Sequence, residues 1–215
     1  MGMKIMLEDV RCAFLVLGTP EEYKAGDGRP RWSATALVPY ASPLRARVEE
    51  TLKAVAKEKW EKKWEAYYEA IMADPKGTCW TDGKRKPDYD GFAGHFALAS
   101  HRPKDKGRPL VFNQAKFPVY KPDDTICDGM GGVLYSGCYV NMQVELWAQD
   151  NANGKGLRAT LLGIQKVRGG DAFGGGAAPQ ADDFGEIAVG ADAGKIAVGA
   201  DAGQIAVGAD ADDLA

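Results

Sequence analysis

From Cys138 to Ala148 (CYVNMQVELWA) apolar and polar side chains alternate without a break. Val140, Met142, Val144 and Leu146 fall on one face, and Tyr139, Asn141, Gln143, Glu145 and Trp147 on the other. A period of two marks a strand with one buried and one wetted face. Asn151-Ala152-Asn153-Gly154 has the chemistry of a hairpin turn, and residues 157–168 (LRATLLGIQKVR) return as the partner strand, with Gly163 placed for a bulge. A hairpin of this kind commits the chain to an antiparallel sheet with its core on one side.

The rest of the chain supplies more short strands and one helix. Residues 4–17 read as a strand or a bent pair of strand segments, stopped at Gly18-Thr19-Pro20. Residues 24–30 form a turn, and 31–39 (RWSATALVP) a second strand. Ser42 can cap a helix that starts at Pro43. Leu44, Val48, Leu52, Val55, Trp60, Trp64, Tyr67 and Ile71 then form one apolar stripe that ends at Asp74-Pro75. A Gly/Asp/Pro-rich loop is expected over 77–94, strands at 95–101 and 110–117, a basic turn between them, and a loop over 121–137. Strands, one long helix, then strands predicts a mainly β fold: an OB-type antiparallel barrel with a long inserted helix.

Charge divides the chain. From Asp171 onward there is one basic residue against nine acidic ones, a net charge of −8. Residues 1–170 hold 26 basic and 21 acidic residues, a net charge of +5. The expected domains are therefore 1–170, the barrel, and 171–215, a disordered acidic Gly/Ala-rich tail. Within the tail a nonapeptide recurs as GEIAVGADA, GKIAVGADA and GQIAVGADA from Gly185, Gly194 and Gly203. One Asp per GADA is too few ligands for a calcium-binding β-roll. A mildly basic body with an acidic arm suits a polyanion site that the arm guards.

Candidate contacts follow from this polarity. Tyr139 and Trp147 lie on the wetted face of the best strand, where aromatics stack on unpaired bases. Arg102, Lys104, Lys106 and Arg108 crowd the basic turn, and Arg29 and Arg31 flank Pro30 just before Trp32. Lys116 extends the set. Trp32 shares its face with Ala34, Ala36 and Val38, a pattern that also suits the core. Lys84-Arg85-Lys86 is discounted because Asp82, Asp88 and Asp90 surround it. No GxSxG, Walker A or HExxH pattern is present, and the four cysteines form no CxxC pair. The reading is of a non-enzyme that needs no metal and no cofactor. No secretory leader and no apolar run of membrane length is visible, so the cytoplasm is the expected location.

The chain resembles the phage-encoded single-stranded DNA-binding proteins, which combine an OB fold with an acidic C-terminal tail. The resemblance runs through VRCAF, WSATALVP, the helix, Trp80-Thr81-Asp82-Gly83, RPLVF, YSGCYVNMQVELWA, GLRATLLGIQKVRGGDAFGGG and ADDFGEI. It implies non-sequence-specific binding of single-stranded DNA in phage replication and recombination, within the host cytoplasm. It also implies that replication enzymes dock on the tail, here through Asp182, Asp183, Phe184, Asp212, Asp213 and Leu214. A second copy of the chain is a further partner left open. Two other readings stand beside it: an assembly module acting through the repeats, and a metal-dependent nuclease built on Asp82, Asp88, Asp90 and Asp105.

Overall fold

The hairpin predicted from alternation is the longest paired ribbon of the fold. In the computed structural model, which describes residues 2–22 and 28–174, β6 (Tyr139–Asn151) and β7 (Gly154–Arg168) pair antiparallel along their whole length. Val140, Met142, Val144 and Leu146 are all fully buried. One register shift falls at Leu162, beside Gly163, so the expected bulge sits one residue away.

β1 (Met3–Glu22) pairs through its first half with β6 and through its second with β2 (Pro30–Pro39). One strand can serve two neighbours because it bends at irregularities. Asp9 and Phe14 there adopt φ of 47° and 51°. β2 pairs with β4 (His95–Pro103), and β4 meets β7 in parallel at His101–Thr160. The circuit β1–β2–β4–β7–β6 is thus a closed five-stranded barrel, and the fold is mainly β as expected. Parallel contact between the third and fifth barrel strands is what lets a short antiparallel meander close. β3 (Trp80–Asp82) adds to the edge of β4, and β5 (Leu110–Phe112) runs beside β7. β3 occupies part of what the sequence suggests is loop, and β5 is shorter than the predicted 110–117.

The helical connection lies between β2 and β3. Ser42 accepts the Leu44 N–H at 3.2 Å and Pro43 opens α1 (Pro43–Trp60). Val48, Leu52, Val55, Ala56 and Trp60 are buried in the barrel core, the two valines and the leucine each contributing about 1.5–3 kcal/mol by leaving water. The single predicted helix is interrupted. Glu61 takes φ 46°, one 3-10 turn spans Glu61–Lys63, and α2 (Trp64–Ala73) follows. The break lets α1 lie on β6 and β1 while α2 packs toward β7. Trp60 fixes the corner by donating its indole N–H to Asp150 at 2.9 Å.

The compact unit that carries this fold is Met1–Gly176. Residues 24–27 of the predicted turn lie outside the described residues, as do the nonapeptide repeats and Asp182, Asp183, Phe184, Asp212, Asp213 and Leu214. Among the described residues, no helix is long and apolar enough to cross a membrane. No three His, Cys, Asp or Glu side chains among them converge on one point. The four cysteines are free thiols, with Cys12 and Cys138 facing each other across β1 and β6 at 3.6 Å.

Candidate nucleic-acid interface

Trp32, Ala34, Ala36 and Val38 point into the barrel, so Arg31, Ser33, Thr35 and Leu37 point out of it. Across the ladders their neighbours are Pro103, His101, Ala99 and Ala97 on β4, and Glu21, Val16, Ala13 and Arg11 on β1. This outer face of β1, β2 and β4 changes character along its length, from cationic at one end to aromatic at the other.

At the cationic end, Arg29, Pro30, Lys104 and Asp105 line an open groove. Two of the basic clusters seen in sequence therefore meet here, since Arg31 pairs with Pro103 and Trp32 with Arg102. Arg102 spends its guanidinium on the turn itself, donating to the carbonyls of Gly107 and Lys106 at 2.7 and 2.6 Å. Lys104 and Lys106 project from that turn into solvent.

At the other end the loop 86–92 folds over the sheet. Phe92 is buried against Ala13, Leu37 and Ala97. Beside it Phe14 and Tyr89 stay 40% and 51% exposed, with their rings edge to face at 5.2 Å. Phe14 reaches this face through its left-handed backbone, a conformation a bulky side chain rarely adopts and one that bulges use to re-aim side chains. The Lys86 ammonium lies 4.7 Å from the Phe14 ring, 5.5 Å from Tyr89 and 5.3 Å from Phe92. Burial among these rings lowers its pKa. Ring faces that remain wet, next to cations, are what unpaired bases and phosphates need.

Sequence reasoning missed Phe14, Tyr89, Phe92 and Lys86. Asp82, which weighed against the 84–86 cations, is already committed. It accepts Tyr40 Oη at 2.5 Å and the Lys84 N–H at 2.9 Å, and the Tyr40 bond above all holds its carboxyl below the usual range. Asp90 accepts the Gly174 N–H. The signal available in sequence was the pair Tyr89 and Phe92 in a glycine-rich loop beside a basic run.

Several predicted contacts lie elsewhere. Trp32 is a core residue, 1% exposed, with its N–H on the Gly18 carbonyl at 2.9 Å; neither ring face is open to a base. Arg108 is also turned inward. Its side chain is 11% exposed, pairs with Asp124 at 2.7 Å, donates to the Leu17 and Gly18 carbonyls, and covers the Tyr120 ring at 4.0 Å. Its guanidinium thus faces the barrel rather than the open side of the basic turn. Lys116, at φ 63°, sits in the turn after β5 next to exposed Phe117.

Tyr139 and Trp147 are on the outer face of β6, which β1 and β7 separate from the β2–β4 face. The Arg168 guanidinium stacks 3.3 Å from the Tyr139 ring centre while pairing with Asp9. Trp147 ties its N–H to Thr160 at 3.0 Å. Both rings are half-buried and already engaged.

Comparison with known proteins bears on the family and the fold. Residues 3–194 match the family described as Enterobacter phage Enc34, ssDNA-binding protein. The chain is 38% identical over 189 residues to "Putative protein p50" of Acyrthosiphon pisum secondary endosymbiont phage 1, covering 87% of this chain and 95% of the relative. Among solved structures, it is similar to the single-stranded DNA-binding protein from bacteriophage Enc34 in complex with ssDNA. The TM-score is 0.63 at 25% identity, over 80% of this chain and 89% of the other. The C-terminally truncated form of that protein shares the fold at a TM-score of 0.62 and 23% identity, over 79% and 88% of the two chains.

Proposed function

The chain belongs to the family of the Enterobacter phage Enc34 ssDNA-binding protein, and from that premise we propose that it coats single-stranded DNA without sequence preference along the outer face of β1, β2 and β4. That family is one of binding proteins and not of enzymes. The observation that carries the placement is the continuity of the face. Arg29, Arg31, Lys104 and Lys106 stand at one end, and Phe14, Tyr89 and Lys86 at the other. Phosphates meet the first group and bases stack on the second. Bases of any identity offer a π face, so such a surface reads single-strandedness rather than sequence.

Lys116, Tyr139 and Trp147 fall to secondary contacts in this arrangement. The working site is the host cytoplasm, where phage DNA is copied and recombined. The acidic tail has two roles in this reading. Its carboxylates compete with phosphates for the cationic face. Its apolar-acidic elements, Asp182-Asp183-Phe184 and Asp212-Asp213-Leu214, recruit replication and recombination enzymes. Three copies of IAVGADA raise the effective concentration of such a motif.

The test is a titration of fluorescent oligo-dT with the full chain and with a chain ending at Gly176, at two salt concentrations. Tight single-strand binding, weaker duplex binding, steep loss with salt and higher affinity after truncation are expected. Equal affinity for single and double strands, or indifference to salt, refutes the reading. Unchanged or weaker binding after truncation refutes the competition by the tail.

A further inference from the structure

Residues 171–174 begin the segment that composition assigns to the tail, yet together with Gly170 they are built into the barrel. Tyr135 Oη donates to the Gly170 carbonyl at 3.0 Å and accepts the Gly170 N–H at 3.2 Å. Arg11 Nη2 donates to the Asp171 carbonyl at 2.9 Å. The Phe173 N–H donates to the Ser136 carbonyl at 2.9 Å. A Cβ on Gly137 would lie 2.0 Å from the Asp171 oxygen, so this strap needs glycine beneath it.

The other side of the strap holds the loop 86–92. The Phe173 ring lies on Gly91, where a Cβ would come within 2.2 Å of it, and Gly91 has φ 77°. The ring packs against the buried group of Ala13, Leu37, Phe92 and Ala97, with the Arg11 guanidinium 4.4 Å from its centre. The Gly174 N–H donates to Asp90 Oδ2 at 3.2 Å. The loop's own backbone bonds are successive turns, Tyr89 to Lys86, Phe92 to Tyr89 and His95 to Phe92. Turns of this kind leave the orientation of a loop on its sheet to side-chain packing.

We propose that Phe173 is a positioning residue for DNA binding: it braces the loop 86–92 against the barrel so that Tyr89 and Lys86 stand beside Phe14. This rests on the reading of that face as the DNA site. Phe173 touches no base in this arrangement; it acts through Tyr89 and Lys86. The beginning of the acidic segment then belongs to the binding domain, and only the residues beyond Gly176 compete with DNA. A chain ending at Gly170 loses both the brace and the competing residues, and accordingly binds DNA more weakly than a chain ending at Gly176, which keeps the brace.

The test uses the full chain with Phe173→Ala, Phe173→Tyr, Tyr89→Ala and the double change F173A/Y89A. Oligo-dT affinity is read by anisotropy over a salt series, and amide exchange of residues 88–92 is read in the free protein. F173A is expected to weaken binding about tenfold, the equivalent of one lost stacking contact. The slope of log affinity against log salt stays unchanged because no cation is removed. F173Y restores affinity, F173A adds little in the Y89A background, and exchange of 88–92 accelerates in F173A alone. Unchanged or tighter binding by F173A, or full additivity with Y89A, overturns the proposal. If Y89A itself binds as the parent does, the DNA-face reading fails. The exchange arm still decides the brace: faster exchange of 88–92 without Phe173 upholds it, and unchanged exchange overturns it.

Discussion

Replacing Arg108 with alanine separates a phosphate contact from an internal clamp. The sequence places Arg108 in a basic turn, where its loss would weaken DNA binding and lower the salt slope. In the fold its guanidinium bonds the carbonyls of Leu17 and Gly18 and lies over Tyr120 and Trp32, with Asp124 as ionic partner. Asp124 is 54% exposed, so that ion pair contributes only about 0–1 kcal/mol after solvent screening. Leaving the two β1 carbonyls without their donor costs about 1–3 kcal/mol. The lost cation–ring contacts add about 0.5–2 kcal/mol. Together Arg108→Ala should destabilise the barrel by about 1.5–6 kcal/mol. For a domain of this size each kcal/mol lowers the thermal midpoint by about 2–4 °C. Scanning fluorimetry should therefore show a fall of roughly 3–24 °C. Oligo-dT titrations well below that midpoint should give the parental salt slope. A variant with parental stability and a shallower slope would refute the clamp.

Other substitutions probe the face itself. Lys104→Ala should lower the log affinity against log salt slope by about 0.7, the value for one phosphate contact on a single strand, with little change in stability. Phe14→Gly should weaken oligo-dT binding by about 1–3 kcal/mol. It should hold or raise urea stability, because glycine relieves the left-handed backbone at φ 51°. Trp80 is buried with its N–H unpaired. Trp80→Phe should accordingly change urea stability by less than about 1.5 kcal/mol, whereas Trp80→Ala should cost about 3–5 kcal/mol.

Acid should unfold the protein partly through Asp82 and Asp150. Hydrogen bonds from Tyr40 to Asp82, and from Lys155 and Trp60 to Asp150, hold both carboxyls below their ordinary range. A depressed folded pKa gives stability that is complete above the unfolded value, about 3.9, and is lost as pH falls through the folded one. Thermal midpoints should therefore be level from neutrality to about pH 5 and fall below pH 4. An Asp150→Asn variant should show a shallower fall.

The barrel strands were legible because alternation survives in them. Along β6 and β2 every inward residue is apolar, and one face is fixed by the core. The helix break was not legible, because the apolar stripe continues through Glu61; the interruption comes from the change of strand beneath the helix, a tertiary cause. The aromatic end of the proposed DNA face was hidden for a similar reason. Phe14 looks like any strand residue until the bulge turns it outward, and Lys86 looks neutralised until Asp82 and Asp90 prove engaged elsewhere. Arg108 shows the reverse: a basic turn in sequence holds no information about which of its cations faces inward. Tyr139 and Trp147 were correctly placed on the outer face of β6, but the closure of the barrel, which decides what lies beside them, depends on pairings more than fifty residues apart.

The irregularities of β1 also protect the protein while it is being made. β1 pairs with β6 between Met3 and Arg11, and its partners there run from Tyr139 to Leu146. At ribosomal rates of about 5–20 residues per second, β1 waits on the order of ten seconds for that partner to be synthesised. Until then it is a strand of 20 residues with one open edge, the kind of template on which nascent chains mispair. The bends at Asp9 and Phe14, with the charges of Lys4, Glu8 and Asp9 along the same stretch, deprive a flat foreign strand of continuous register. A distortion that turns the Phe14 ring outward in the finished barrel thus also works against mispairing in the unfinished one.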